Sequence, residues 1–348
     1  MKNRKIEFIY WFAYYNLDSP SVRYRAKYPL DSFREKNKMG SYLVIPSYTI
    51  KGIYNFLKAY ISALFFRKPN SLIILQRIQS NFIYANLLKL LISVRKENTI
   101  YDLDDADYLE FNPKTLYYFV RHCDKISAGS HQIEKHLKIL NNKIIQTTSP
   151  IVNLNLTKIK KNSILNIGWI GGFGGDHKKS LIEIFFPALN NVKFNCKFTI
   201  LGVVRIEDIN YINNYFKDKP NIAIEIPSEI DWNDENAIQN RIIKFDIGIA
   251  TLIDNEMQLS KSGIKAKQYM NNGVPVLSTN LPENNIVIKE GYNGYYCNTS
   301  SEFELRLIQF NEMSNTTFMA YSKNSRETAK QFGHDNYLNE LEKLKNGI

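Results

Sequence analysis

Lys261, Lys265, Gln268 and Asn272 are spaced by four, three and four residues within LSKSGIKAKQYMNNGVPVLS, residues 259–278. On a helix starting near Ser260 that spacing predicts one polar stripe, with Ala266, Tyr269 and Met270 on the other side. Two lysines in the first turns of a helix stand beside its unpaired N–H groups and positive dipole end, which suits a phosphate or diphosphate. An ordinary solvated face has the same spacing. Here, however, the segment follows the apolar strand FDIGIA and ends at Gly273 and Pro275 before another strand, so its N-terminus is expected at a cleft edge.

Three further groups carry chemistry. In ILNIGWIGGFGGDHKK (164–179), Gly168, Gly171, Gly172, Gly174 and Gly175 allow close backbone approach to a ligand, and a helix is expected from about Lys178. The spacing is not that of the dinucleotide fingerprint GxGxxG. In TIYDLDDADY (99–108), Asp102 and Asp104 suit a metal site, a phosphatase-type nucleophile pair, or a polar strand end that orients arginines; Asp105 belongs to the same cluster. The phosphatase reading lacks its usual threonine, since Ala106 stands there. Arg23 and Arg25 follow the first expected strand and Arg77 ends the third. In a parallel sheet they share a rim with Asp104 and Asp105, where they either bind an anion or form ion pairs; surface arginine is the alternative. The five histidines show no metal-ligand spacing, and only His177 falls in an expected site.

The elements that must position these groups alternate strand and helix almost throughout, the pattern of parallel sheets with crossover helices. Strands are expected near 7–12, 41–45, 72–76, 99–103, 125–128 and 143–146, and again near 163–170, 197–201, 221–226, 245–250, 274–278 and 294–297. Helices in the second half are expected near 178–190, 206–217, 235–243, 261–272 and 301–313. The fold class is therefore α/β, with two doubly wound Rossmann-like sheets facing a central cleft. Residues 1–155 form one domain and 156–315 the other, with the polar stretch 153–162 as linker and two helices in 316–348 packing back across either domain.

Composition narrows the partners. The net charge of +11 lies entirely at the front: residues 1–100 hold 17 Lys/Arg against 5 Asp/Glu, residues 101–150 hold 6 against 7, and residues 151–348 hold 22 of each. The first domain alone thus calls for an anionic partner, such as a membrane surface or an acidic substrate. Nucleic acid is set aside, because no glycines and aromatics are interleaved with the basic residues on strands. The segment KGIYNFLKAYISALFFRK (51–68) reads first as a core helix and alternatively as an interfacial one, and 82–94 reads the same way. The basic start, residues 1–5, has no cleavage site after it, and no uncharged run reaches the ~20 residues of a spanning helix. Cys123, Cys196 and Cys297 are odd in number and far apart, which fits a reducing, cytoplasmic location.

The run K-x-G-x-K-x-x-Q-Y-M-x-x-G-x-P-V (261–276), followed by Gly291 and Gly294, resembles the nucleotide-sugar domain of bacterial GT-B glycosyltransferases close to glycosyltransferase family 4. FDIGIATLID, IGWIGG, IILQR, YDLDDADY and ISAGSHQIEKHL extend the resemblance over nearly the whole chain. It implies transfer of a sugar from a nucleoside diphosphate sugar to a growing surface glycan or lipid-linked acceptor, with retention, without a metal and with no cofactor beyond the donor. The donor would sit on the second domain, on Gly171, Gly172, Lys178, Ser260, Lys261, Lys265, Gln268 and Asn284. The acceptor would sit on the first, beside Arg23, Arg25 and Arg77. Lys265, Lys261, Asp104 and Asp105 are the residues expected to act on the reacting groups, the lysines by neutralising the leaving diphosphate. Where the family commonly has two glutamates eight positions apart, this chain has Ser260 and Gln268, and Gly172-Phe173 stands where an arginine is often found. A non-catalytic glycan-assembly subunit and a nucleotide-sugar epimerase are the rival readings. The basic first domain implies docking on the inner face of the cell membrane.

Overall fold

The computed structural model describes residues 5–79 and 82–347, so the start of the chain, residues 1–4, lies outside the described residues. Among the described residues, runs rich in Ile, Leu, Tyr and Phe between polar turns form twelve strands in two parallel sheets. The first sheet holds β1 (Phe8–Ala13), β2 (Gly40–Val44), β3 (Ser71–Gln76), β4 (Thr99–Leu103), β5 (Lys125–Ala128) and β6 (Ile144–Gln146), in the order β2-β1-β3-β4-β5-β6. The second holds β7 (Leu165–Ile170), β8 (Cys196–Leu201), β9 (Ile222–Glu225), β10 (Ile247–Ala250), β11 (Val276–Ser278) and β12 (Gly294–Tyr296), in the order β12-β11-β10-β7-β8-β9. Central strands such as β3, SLIILQ, bury every residue, as strands covered on both faces must.

The flanking helices include α1 (Tyr28–Asn37), α2 (Ile50–Phe65), α3 (Phe82–Val94), α4 (Gly175–Ser180), α5 (Ile206–Phe216), α6 (Ile264–Asn271), α7 (Asn315–Ala329) and α8 (His334–Asn346). Wide helical turns, Arg23–Lys27 and Leu181–Phe185, each run directly into a helix with proline in its first turn, Pro29 and Pro187. Proline has no N–H for the regular ladder, and a wide turn absorbs the mismatch.

By internal contacts the chain forms two compact units: Met1–Val152 with Ser260–Ser262 and Phe332–Ile348, and Asn153–Leu259 with Gly263–Gln331. The two terminal helices separate between them. Helix α7 packs on α6 in the second unit, while α8 packs on α1 in the first, where Tyr337, Leu338, Leu341 and Leu344 join the core of Trp11, Ile74 and Ile100. Cys123, Cys196 and Cys297 are all buried and unbridged.

The core-helix expectation for residues 51–68 holds for only one side of α2. It buries Ala59, Tyr60, Ala63 and Leu64, while Ile50, Ile53, Tyr54, Leu57, Ile61 and Phe65 stay exposed. Helix α3 likewise buries Tyr84, Leu88, Leu91 and Ile92 but exposes Ile83, Leu90 and Val94. Among the described residues no helix is long and apolar enough to cross a membrane.

Candidate functional site

In an open parallel sheet the loops after the strands form the ligand-binding rim. In the second unit that rim carries the glycine turn after β7. Gly171 has φ +144°, and its N–H donates to Leu201 O at 3.0 Å. A Cβ on Gly171 would lie 2.9 Å from Lys265 Cε and 3.3 Å from the Trp169 ring. A Cβ on the neighbouring Gly202 would lie 2.1 Å from Gly171 O. Both positions therefore require glycine for close approach, not only for flexibility. Gly172 and Gly174 face open space, and α4 begins at Gly175, three residues earlier than expected. Gly168 is a correction: it lies within β7, where the Phe245 ring fills the space of a side chain, so it packs the sheet and meets no ligand.

The lysine stripe is corrected as well. Helix α6 starts at Ile264, not near Ser260, because Gly263 adopts a left-handed φ of +66° just before it. Lys265 stands in the first turn and Gln268 one turn on, half-buried, but Lys261 precedes the helix and belongs to the first unit. Asn272 caps the far end and is wholly buried, its amide donating to Gln268 O at 3.0 Å. Ser260 is wholly buried too. Lys265 Nζ lies 3.1 Å from His177 Nδ1 and 5.4 Å above the centre of the Trp169 ring. That contact uses His177 Nδ1 as acceptor, which fixes the ring proton on Nε2.

Sequence spacing did not reveal what holds α6 in place. The Tyr269 hydroxyl accepts from Ile170 N at 2.9 Å and donates to Ile249 O at 3.1 Å, joining α6 to the ends of β7 and β10. Burial pushes this phenol's pKa well up, so it stays a neutral donor. Lys178 Nζ donates to Asp208 Oδ1 at 2.6 Å and sits over the Phe173 and Tyr211 rings. Hydrogen bonds from Lys178, and then from Arg205, hold the Asp208 carboxyl below its usual range. The Lys178 charge is therefore already balanced. Asn284 is buried and spends its amide on Ser278 Oγ at 2.6 Å and Thr279 O at 3.2 Å, bracing the turn after β11 rather than facing outward.

In the first unit, registers Gln76↔Asp102 and Asp102↔Ser127 bring the ends of β3, β4 and β5 to one rim. Arg25 is wholly buried there and forks onto Asp102, with Nε to Oδ2 at 2.9 Å and a short second contact; Thr147 O and Ser127 Oγ accept from it at 3.0 Å. Arg25 therefore has no exposed donor for an acceptor, which corrects its expected place. Arg23 is nearly as buried and donates to Leu17 O and Asp18 O at 2.7 and 2.9 Å. Arg77 grips Asp107, with Nε to Oδ2 at 2.8 Å, and reaches Asp105 Oδ2 at 3.1 Å with the Tyr15 ring 4.8 Å from its guanidinium carbon. The other oxygen of Asp105 accepts from Lys261 at 2.8 Å. Of the readings weighed for 99–108, the carboxylates at this rim orient arginines and a lysine. Asp104 is buried beside them, its Oδ1 3.9 Å from Arg77 Nη1 but without a hydrogen bond, and burial raises its pKa to about 6 against the pull of Arg77. Among the described residues no group of three or more His, Cys, Asp or Glu is arranged to hold a metal ion.

No protein-family model and no curated protein sequence matches the chain. Solved structures do, over almost its full length. HepE (Alr3699) of Anabaena, in complex with UDP and glucose, is 12% identical with a TM-score of 0.62, covering 98% of this chain and 99% of that one. A glycosyltransferase from Rickettsia africae is 17% identical with a TM-score of 0.64, covering 98% and 100%. The lipopolysaccharide outer core galactosyltransferase WaaB is 11% identical with a TM-score of 0.61, covering 97% and 98%. The fold is that of these glycosyltransferases, the two-sheet GT-B architecture.

Proposed function

We propose that this protein transfers a sugar from a nucleoside diphosphate sugar to a growing glycan or lipid-linked acceptor, as a retaining, metal-independent transferase of the family 4 type. The observation that carries the reading is Lys265. It is a lysine in the first turn of α6, a helix fixed through Tyr269 to two strand ends, and it is laid against Gly171, which must stay free of a side chain. A cation held beside a bare backbone turn suits the charge that develops on a leaving diphosphate. UDP and UDP-glucose occur in complexes of HepE, a protein of the same fold, and support a uridine nucleotide as the first donor to try. In this reading Gln268, half-buried one turn beyond Lys265, hydrogen-bonds the donor's ribose. Asp104 and Asp105 fall to the acceptor side, Asp104 as a carboxylic acid poised near neutral pH.

Ser260 favours the second reading, a glycan-assembly subunit that binds nucleotide without transfer, because it is buried and brings no carboxylate to a donor sugar. Incubation with UDP-hexoses and a lipid-linked oligosaccharide, followed by mass spectrometry, separates the two. A gain of one hexose on the acceptor supports transfer, and nucleotide binding without any gain supports the subunit. Turnover of donor alone would indicate an epimerase.

A further inference from the structure

Residues 36–96 contain ten Lys/Arg and not one Asp/Glu. Within this stretch α2 carries two apolar faces. The inner one packs on the sheet; the outer one, Ile50, Ile53, Tyr54, Leu57, Ile61 and Phe65, recurs at three- and four-residue intervals and so forms a single stripe along the helix. These side chains are 44–89% exposed, and Tyr48 and Phe66 at either end are 91% and 72% exposed. Over sixteen residues the stripe runs on the order of 24 Å. A contiguous exposed apolar surface of this length marks an interaction site.

The far end of the stripe names the partner. Phe66 lines a shallow groove of ≈ 350 Å³ between β2 and α2, with Tyr42, Leu57 and Ile61. The next two residues, Arg67 and Lys68, line a second pocket of ≈ 350 Å³ at the starts of β3 and β4, where Arg95 and Lys96 from the end of α3 join them. Arg67 is held rigidly by Glu97 O at 2.7 Å and Ser71 Oγ at 3.1 Å, and Arg95 donates to Leu64 O at 2.8 Å. Burial, and then the neighbouring Arg95 charge, lowers the Arg67 pKa, so this pocket concentrates positive charge that an anion would relieve. Glu97 is its one acidic member. The pocket opens at the beginnings of the strands, whereas Arg77 and Asp102–Asp107 lie at their ends. The docking surface is thus separate from that rim and independent of the transfer reaction.

We propose that α2 lies in the surface of a membrane containing anionic phospholipid, its outer stripe among the acyl chains and the Arg67–Lys68–Arg95–Lys96 pocket on a lipid phosphate. Apolar insertion and basic attraction reinforce one another at such an interface, and loss of two surface lysines weakens binding by about tenfold or more.

Vesicle flotation of the full chain tests this, using vesicles of phosphatidylcholine alone and vesicles in which about a third is phosphatidylglycerol. Recovery should be at least tenfold higher on the anionic vesicles at low salt and should fall as salt rises. K68Q/K96Q should lose about tenfold on anionic vesicles, and F65S/F66S should lose binding at every salt concentration, while both keep the wild-type melting temperature because these side chains are exposed. Equal recovery on both vesicle types, no recovery on either, or unchanged flotation of both variants would overturn the proposal. So would loss of flotation to inorganic phosphate at matched ionic strength, which would make the pocket a free-phosphate site. A wild-type dimer in light scattering that F65S/F66S dissolves would instead make the stripe a contact between copies. Binding of nucleotide, measured separately, leaves each of these outcomes unchanged.

Discussion

Gly171 and Lys265 are coupled by geometry: a methyl group on the glycine would meet Lys265 Cε at 2.9 Å on a backbone with φ +144°. Gly171→Ala should therefore displace the lysine and cost about 1–3 kcal/mol of stability, seen by chemical denaturation, together with a loss of nucleotide affinity. Two desolvated titratable groups give opposite pH dependences. The Asp104 carboxyl titrates at about 6 when folded, above its ordinary value, so the folded state binds the extra proton and stability falls as pH rises from about 4 to 6. His334, half-buried beside Lys36, titrates at about 4, below its ordinary value, so stability is full above about 6.5 and is lost as pH falls towards 4. Asp104→Asn should remove the first slope, worth roughly 3 kcal/mol, and His334→Gln the second, in denaturation curves taken across this range. The lysine-bearing segment after β10 and the glycine turn after β7 were legible in the sequence, and the structure lays Lys265 against Gly171. The fates of Arg25 and Gly168 were not legible, since their partners come from distant segments: Asp102 lies 77 positions after Arg25, and the Phe245 ring meets Gly168 from another strand's approach.

Helix α6 shows what periodicity resolves and what it misses. All twelve strands were expected within about two residues of where they form, because alternation of apolar runs and turns fixes them strongly. The helix around Lys265 was expected to begin near Ser260, yet Gly263 turns left-handed and only Ile264 starts it. Spacing of four, three and four residues cannot distinguish a continuous helix from one preceded by a loop. A Cβ on Gly263 would lie 3.2 Å from Glu283 O and 3.3 Å from Asn284 Oδ1, at a φ that L-residues disfavour. Gly263→Ala should cost about 1–2 kcal/mol and weaken nucleotide binding by shifting the start of α6, whereas Tyr269→Phe should cost about 1–2 kcal/mol through the two backbone groups it leaves. Calorimetric melting with and without nucleotide reads both. For α2 the apolar composition was plain in the sequence, but which half of the circumference faces the sheet depends on tertiary packing.

The whole chain folds as two units, and its last helix belongs to the first of them although the preceding one belongs to the second. Removing residues 332–348 should destabilise the first unit by several kcal/mol, since Tyr337, Leu338, Leu341 and Leu344 leave its core and Tyr337 no longer covers Arg25. Limited proteolysis should then cut within 5–152 while the second unit resists. Charge follows the same division, with the excess confined to residues 1–100 and the second unit, where Lys265 stands, nearly balanced. On this reading the second unit binds a nucleoside diphosphate through Lys265. Isothermal titration of the wild-type chain and of Lys265→Ala with UDP, GDP, ADP and dTDP tests it most directly. One nucleotide should bind the wild type, and its affinity should fall at least tenfold in Lys265→Ala with the melting temperature unchanged. No binding by any of the four, or equal affinity in the two proteins, would mean that Lys265 holds no nucleoside diphosphate.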